Sequence, residues 1–130
     1  MPKKRILVVD DEPGFTRIVR LNLEKSGNYE VREVNDGKSA LATAREFMPH
    51  LILLDVVMPD VDGGDVALLL QRDPKLKSIP VVFLTAVVRR QEAGKSGLQS
   101  GGAVFLAKPI SSDNLIRCIE ENLRPEAPTA

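Results

Sequence analysis

The sequence predicts an open α/β domain, five βα units wound on both faces of a five-stranded parallel sheet, and three observations carry that expectation. Short apolar runs recur at Ile6 to Val9, Leu51 to Leu54, Val81 to Leu84 and Val104 to Leu106, the pattern of strands buried on both faces. Stretches with helical spacing lie between them. Asp, Pro or Gly punctuates each boundary. With 130 residues, one core is expected.

The elements follow in order. Ile6 to Val9 forms the first strand and runs into Asp10-Asp11. Phe15, Ile18, Val19 and Leu23 share one helical stripe, which Gly27 ends. Tyr29 to Val34 alternates and reads as a weaker strand. Ala40, Leu41, Ala44 and Met48 mark the second helix, stopped by Pro49. Leu51 to Leu54 is the third strand. Val66, Leu69 and Leu70 mark the third helix, which ends before Asp73-Pro74, and Val81 to Leu84 is the fourth strand. A fourth helix is expected near Arg90 to Ser100, short and weak, because Gly94 and Gly97 each cost about 1 kcal/mol relative to Ala. Val104 to Leu106 is the fifth strand. Leu115, Ile119 and Leu123 mark the last helix, with Ser111 or Ser112 as its cap. The folded unit is expected over residues 1–123, with 124–130 a Pro-bearing tail or linker and no second domain after it.

Composition narrows the function. Apolar residues make up 43% and charged residues 28%, as in ordinary globular proteins. Eighteen basic residues balance eighteen acidic ones, so no basic field exists to hold nucleic acid or an anionic membrane. The single Cys118 excludes an internal disulfide and a multi-cysteine metal site, and is expected to pack as a small apolar side chain on the last helix. The apolar run after Lys3-Lys4-Arg5 is too short for a signal-peptide core, which needs about 7 to 15 residues, so a cytoplasmic location is expected.

Ligands of open parallel sheets bind beyond the carboxyl ends of the strands. The residues there are Asp10, Asp11, Asp55, Thr85 and Lys108. Three carboxylates, a hydroxyl and an ammonium on one edge suit a hard cation with a phosphate-binding charge beside it.

Val8-Val9-Asp10-Asp11-Glu12, Leu53-Leu54-Asp55-Val56-Val57-Met58-Pro59, Asp62-Gly63, Leu84-Thr85-Ala86 and Phe105-Leu106-Ala107-Lys108-Pro109 stand in order at matching spacing. Together they resemble the signature blocks of response-regulator receivers, over about residues 5 to 123. The resemblance implies a flavodoxin-like sheet of strand order 2-1-3-4-5. It also implies a switch that accepts a phosphoryl group on Asp55, with Mg²⁺ (Mn²⁺ as the substitute ion) held by Asp10, Asp11, Asp55 and the backbone carbonyl of Val57. Lys108 and Thr85 would contact the phosphoryl oxygens. Phe105 takes the place of the aromatic switch residue that follows Thr85, without a hydroxyl. Pro109 matches the family's Lys-Pro peptide, usually cis, which would aim the ammonium into the site. The implied partners are a sensor histidine kinase or a histidine phosphotransfer protein. The implied signalling face comprises the fourth helix, fifth strand and fifth helix. A phosphorylation-dependent homodimer through that face is the other implied partner, and the two glycines of the fourth helical stretch weigh against it.

Several side readings fall away. A phosphohydrolase resembling the haloacid-dehalogenase class would carry a second Asp two residues after its nucleophile, where this chain has Val57. Turnover of external substrates is therefore not expected. Val57 also offers no polar side chain to orient hydrolytic water, so slow self-dephosphorylation is expected. Gly94-Lys95-Ser96 lacks the first Gly of a P-loop, and Asp60 to Asp65 lacks the central Gly and closing Glu of a calcium loop. A docking domain that is never phosphorylated remains the competing reading. His50, before the third strand, reads as an exposed loop residue with no catalytic role.

Overall fold

The computed structural model describes residues 3–56, 58, 63–85, 98–100, 103–108 and 110–123. Strands β1 (Lys4–Val9), β2 (Tyr29–Val34), β3 (Leu51–Asp55), β4 (Val81–Thr85), β5 (Leu98–Ser100) and β6 (Ala103–Ala107) form one sheet. Its order is β2-β1-β3-β4-β6-β5. All pairings are parallel except β5 with β6. The first five places are therefore the expected 2-1-3-4-5 parallel sheet, with β6 as its fifth strand.

Helices α1 (Pro13–Lys25), α2 (Ala40–Phe47), α3 (Gly63–Arg72) and α4 (Ser112–Asn122) cover the two faces. Period-two alternation along β1 decides the layering. Ile6 and Val8 pack with Val19 and Leu23 of α1 and Leu115, Cys118 and Ile119 of α4. Leu7 and Val9 pack with Ala44 and Phe47 of α2 and Val66 and Leu70 of α3. Cys118 is buried in the first cluster, as its sequence position suggested.

Helix ends follow local chemistry. Pro13 opens α1, where its missing N–H costs nothing. Gly27, with φ +81°, takes the left-handed conformation beyond α1 that other residues adopt only with strain. The Ser111 hydroxyl caps α4 by accepting from the Asn114 N–H at 3.1 Å.

The structure departs from expectation in three places. The described end of the expected Arg90 to Ser100 helix is a strand instead, antiparallel to β6 with Ser100 opposite Ala103. The remaining residues of that stretch lie outside the described ones. The chemistry that explains it stands in the sequence: Gly94 and Gly97 weaken a helix, and only Gly101-Gly102 separates the two strands, a dipeptide suited to two-residue hairpins. Ile18, Leu69 and Met48, counted in apolar stripes, are 58%, 47% and 38% exposed: Ile18 and Leu69 stand outside the buried faces of α1 and α3, and Met48 lies past the end of α2 in the left-handed conformation, φ +49°. His50 is half-buried, not an exposed loop residue. Its Nδ1 accepts the Arg5 N–H at 2.9 Å while its own N–H donates to the Arg5 carbonyl at 2.7 Å, which ties the approach to β3 onto β1.

Candidate functional site

Parallel pairing brings the carboxyl ends of β1, β3, β4 and β6 to one edge. Asp10 follows β1, Asp55 and Thr85 are the last residues of β3 and β4, and Lys108 follows β6. The register places Asp55 beside Leu84 and Thr85 beside Ala107. The Lys108 N–H donates to the Thr85 carbonyl at 2.8 Å, which fixes these two chain ends together.

Asp10, Asp11 and Asp55 each present a carboxylate oxygen within 4.8 Å of the others. Asp10 is fully buried and Asp55 is 5% exposed. Three like charges so close repel one another, and burial makes each costlier. The Lys108 ammonium answers part of that charge. It bonds to Asp10 and lies 3.9 Å from Asp55 and 3.6 Å from Glu12. Burial by itself would push the Lys108 pKa down, but the Asp10 bond and the Asp55 and Glu12 carboxylates outweigh it and hold the group above its ordinary value. The other Asp10 oxygen accepts from the Glu12 N–H at 3.0 Å.

The donor set fits a small hard cation: carboxylate oxygens only, no sulfur or imidazole, and more negative charge than one lysine neutralises. Asp10, Asp11 and Asp55 could hold such an ion. The Val57 carbonyl, expected as a further ligand, lies outside the described residues, as do Ala86, Pro109 and Asp62.

Gly63 opens α3 against the backbone at the end of β3. A Cβ built on it would lie 2.1 Å from the Asp55 carbonyl oxygen and 2.8 Å from the Val56 Cα. Its N–H donates to the Val56 carbonyl at 3.0 Å. Only glycine lets the start of α3 approach Asp55 so closely.

Phe105 is half-buried and stacks on Phe83, with ring centroids 5.2 Å apart. Phe15 has a role that helical spacing hid: the Lys108 ammonium lies 4.4 Å from its ring centroid. Sequence marked Phe15 only as one member of an apolar stripe. Its position four residues after the Asp11 carboxylate was the available signal, since that places it on the first turn of α1, over the sheet edge.

Residues 6–120 match the model of the response regulator receiver domain family. The DNA-binding dual master transcriptional regulator RpaA of Synechocystis sp. is 38% identical over 92% of this chain and 49% of its own length. Response regulator PleD of Caulobacter vibrioides is 45% identical over 82% of this chain and 23% of its own length. The chain thus spans half or less of these curated relatives. Among solved structures, the chemotaxis protein CheY4 of Vibrio cholerae aligns with a TM-score of 0.80 at 27% identity, over 94% of this chain and all of that one. Receivers of this family are not substrate-turnover enzymes. No helix among the described residues is long and apolar enough to cross a membrane. The family match, the sheet order and the acidic pocket agree, and the chain belongs to the response regulator receiver domain family of two-component signalling.

Proposed function

We propose that this chain is a phosphoacceptor switch in which Asp55 takes a phosphoryl group from a sensor histidine kinase or a histidine phosphotransfer protein. The observation that carries the reading is the cluster of Asp10, Asp11 and Asp55 at the carboxyl edge of the sheet, with the Lys108 ammonium against Asp10 and near Asp55. In the transfer, an Asp55 carboxylate oxygen forms a bond to phosphorus as the bond to the donor imidazole nitrogen breaks. The electron pair of that bond stays on the imidazole. Asp55 is ready for this role because burial strips away water that would otherwise blunt its attack. Mg²⁺, with Mn²⁺ as substitute, would be held by Asp10, Asp11, Asp55 and the Val57 carbonyl, and supplies neutralisation of the phosphoryl charge.

Lys108 moves its ammonium from the Asp10 carboxylate toward a phosphoryl oxygen, and Thr85 donates its hydroxyl to another. The pull on Thr85 would be relayed to Phe105, which stacks on Phe83, and from there to the face that carries β6 and α4. Partners of that surface include an output domain or effector, and a second copy of this chain on phosphorylation. The functional unit spans 1–123, with 124–130 a tail or linker, in the cytoplasm.

Intact mass after exposure to a small acyl-phosphate donor tests the reading. One added phosphoryl group is expected, dependent on Mg²⁺ and abolished by Asp55→Asn. No addition under any condition would favour a docking domain that is never phosphorylated.

A further inference from the structure

Asp10 is held by more than its side chain. Its N–H donates to the Val34 carbonyl at 3.0 Å, and its carbonyl accepts from the Asn35 side-chain amide at 2.9 Å. That carbonyl belongs to the peptide plane between Asp10 and Asp11. Clamping it fixes the Asp10 ψ and the orientation of the peptide that leads into Asp11, and hence the directions in which both carboxylates leave the backbone.

The clamp is itself braced. The same Asn35 amide donates to the Thr16 hydroxyl oxygen at 3.0 Å. Thr16 is fully buried on α1, and its single proton goes to Glu33 Oε1 at 2.8 Å, with the Pro13 carbonyl more distant at 3.2 Å. The second Glu33 oxygen accepts from Arg20 at 3.5 Å. Every donor in this chain points one way, from Asn35 to Thr16 to Glu33. A carbonyl can only accept, so the position beside Asp10 needs an amide nitrogen; a carboxylate there would set oxygen against oxygen.

We infer that Asn35, braced by Thr16 and Glu33, is a positioning residue that sets the cation affinity of the Asp10-Asp11 pair. The inference rests on the receiver reading above. Groups that orient metal ligands in this way commonly change affinity about tenfold or more when removed. Asn35 is exposed, so its truncation leaves the core untouched.

The test is calorimetric Mg²⁺ titration of the unphosphorylated protein, alongside the Mg²⁺ dependence of acyl-phosphate labelling. Asn35→Ala is expected to weaken Mg²⁺ binding roughly tenfold and to raise the Mg²⁺ level for half-maximal labelling in step, with the rate at saturating Mg²⁺ unchanged. Thr16→Val should act in the same direction, and Thr16→Ser, which keeps the hydroxyl, should restore wild-type affinity. Wild-type Mg²⁺ affinity in Asn35→Ala would overturn the inference while leaving the receiver reading intact, even if its melting temperature fell. A wild-type protein that binds no Mg²⁺ would overturn both.

Discussion

The two edges of the sheet are both polar, but they balance charge differently. At the amino edge, polar groups meet hydrogen-bonding partners: His50 Nδ1 with the Arg5 N–H, Arg5 Nε with the Phe47 and Met48 carbonyls, and the Tyr29 hydroxyl with Glu120. The Arg45–Asp73 pair, at 2.6 Å where α2 and α3 return toward that edge, is likewise matched. At the carboxyl edge, three acids cluster, and among the described residues Lys108 meets Asp10 and Asp55 of the three. The first edge closes the fold, and the second gathers three close carboxylates whose mutual repulsion a bound cation would relieve. Sites are often less stable than they could be for this reason.

The sharpest way to break the comparison is Lys108→Ala. It leaves Asp10 fully buried without its ion pair, an arrangement that costs about 3 kcal/mol or more. Urea unfolding in divalent-free buffer should show that loss, and added Mg²⁺ should recover part of it. Next comes Gly63→Ala, whose new Cβ would drive into the Asp55 carbonyl. Overpacking of this kind costs about 1–3 kcal/mol, so its urea midpoint should fall and phosphoryl labelling of Asp55 should drop with it, unlike Gly14→Ala, where a Cβ meets open space.

At the amino edge the effects are smaller and show in pH. Burial, and then the bond to Glu120, hold the Tyr29 phenol well above its ordinary value of 10.0. Because the folded value is raised, this stability is complete below about pH 10 and drains as pH rises beyond it, where only the unfolded chain ionises readily. Tyr29→Phe should cost about 1 kcal/mol at neutral pH and flatten the alkaline decline, as thermal melts across that range would show. The smallest effect belongs to Arg45. Its bond, followed by that of the Lys75 N–H, holds the Asp73 carboxyl below its ordinary 3.8. A lowered folded value gives stability that is present above the ordinary value and is lost as pH falls through the folded one. Arg45→Ala should therefore lower the neutral melting temperature slightly and make the acid limb of the melting profile shallower, the variant and wild type converging at low pH.

Sequence carried the carboxyl edge well, because apolar runs end on Asp10, Asp55, Thr85 and Lys108 and a parallel sheet must bring such ends together. The helix ends at Gly27 and Ser111 were legible for the same local reason. What escaped were contacts made across the fold. Asn35, beside Asp36-Gly37, looks like an ordinary turn residue, and nothing local says that its amide reaches back to Asp10. Thr16 sits in a helix among apolar neighbours, so periodicity gives it no partner, although it lies fully buried against Glu33. The strand at Leu98–Ser100 escaped because three residues are too few for a period to show.

The contrast between the edges is tested most directly by thermal melting of Asp11→Asn beside the wild-type chain, with and without Mg²⁺. If carboxylate repulsion at the carboxyl edge is the cost of the site, Asp11→Asn melts higher than wild type in divalent-free buffer. Mg²⁺ then raises the wild-type midpoint but leaves the variant nearly unmoved. A variant that melts lower without metal and still responds to Mg²⁺ as the wild type does would contradict the account.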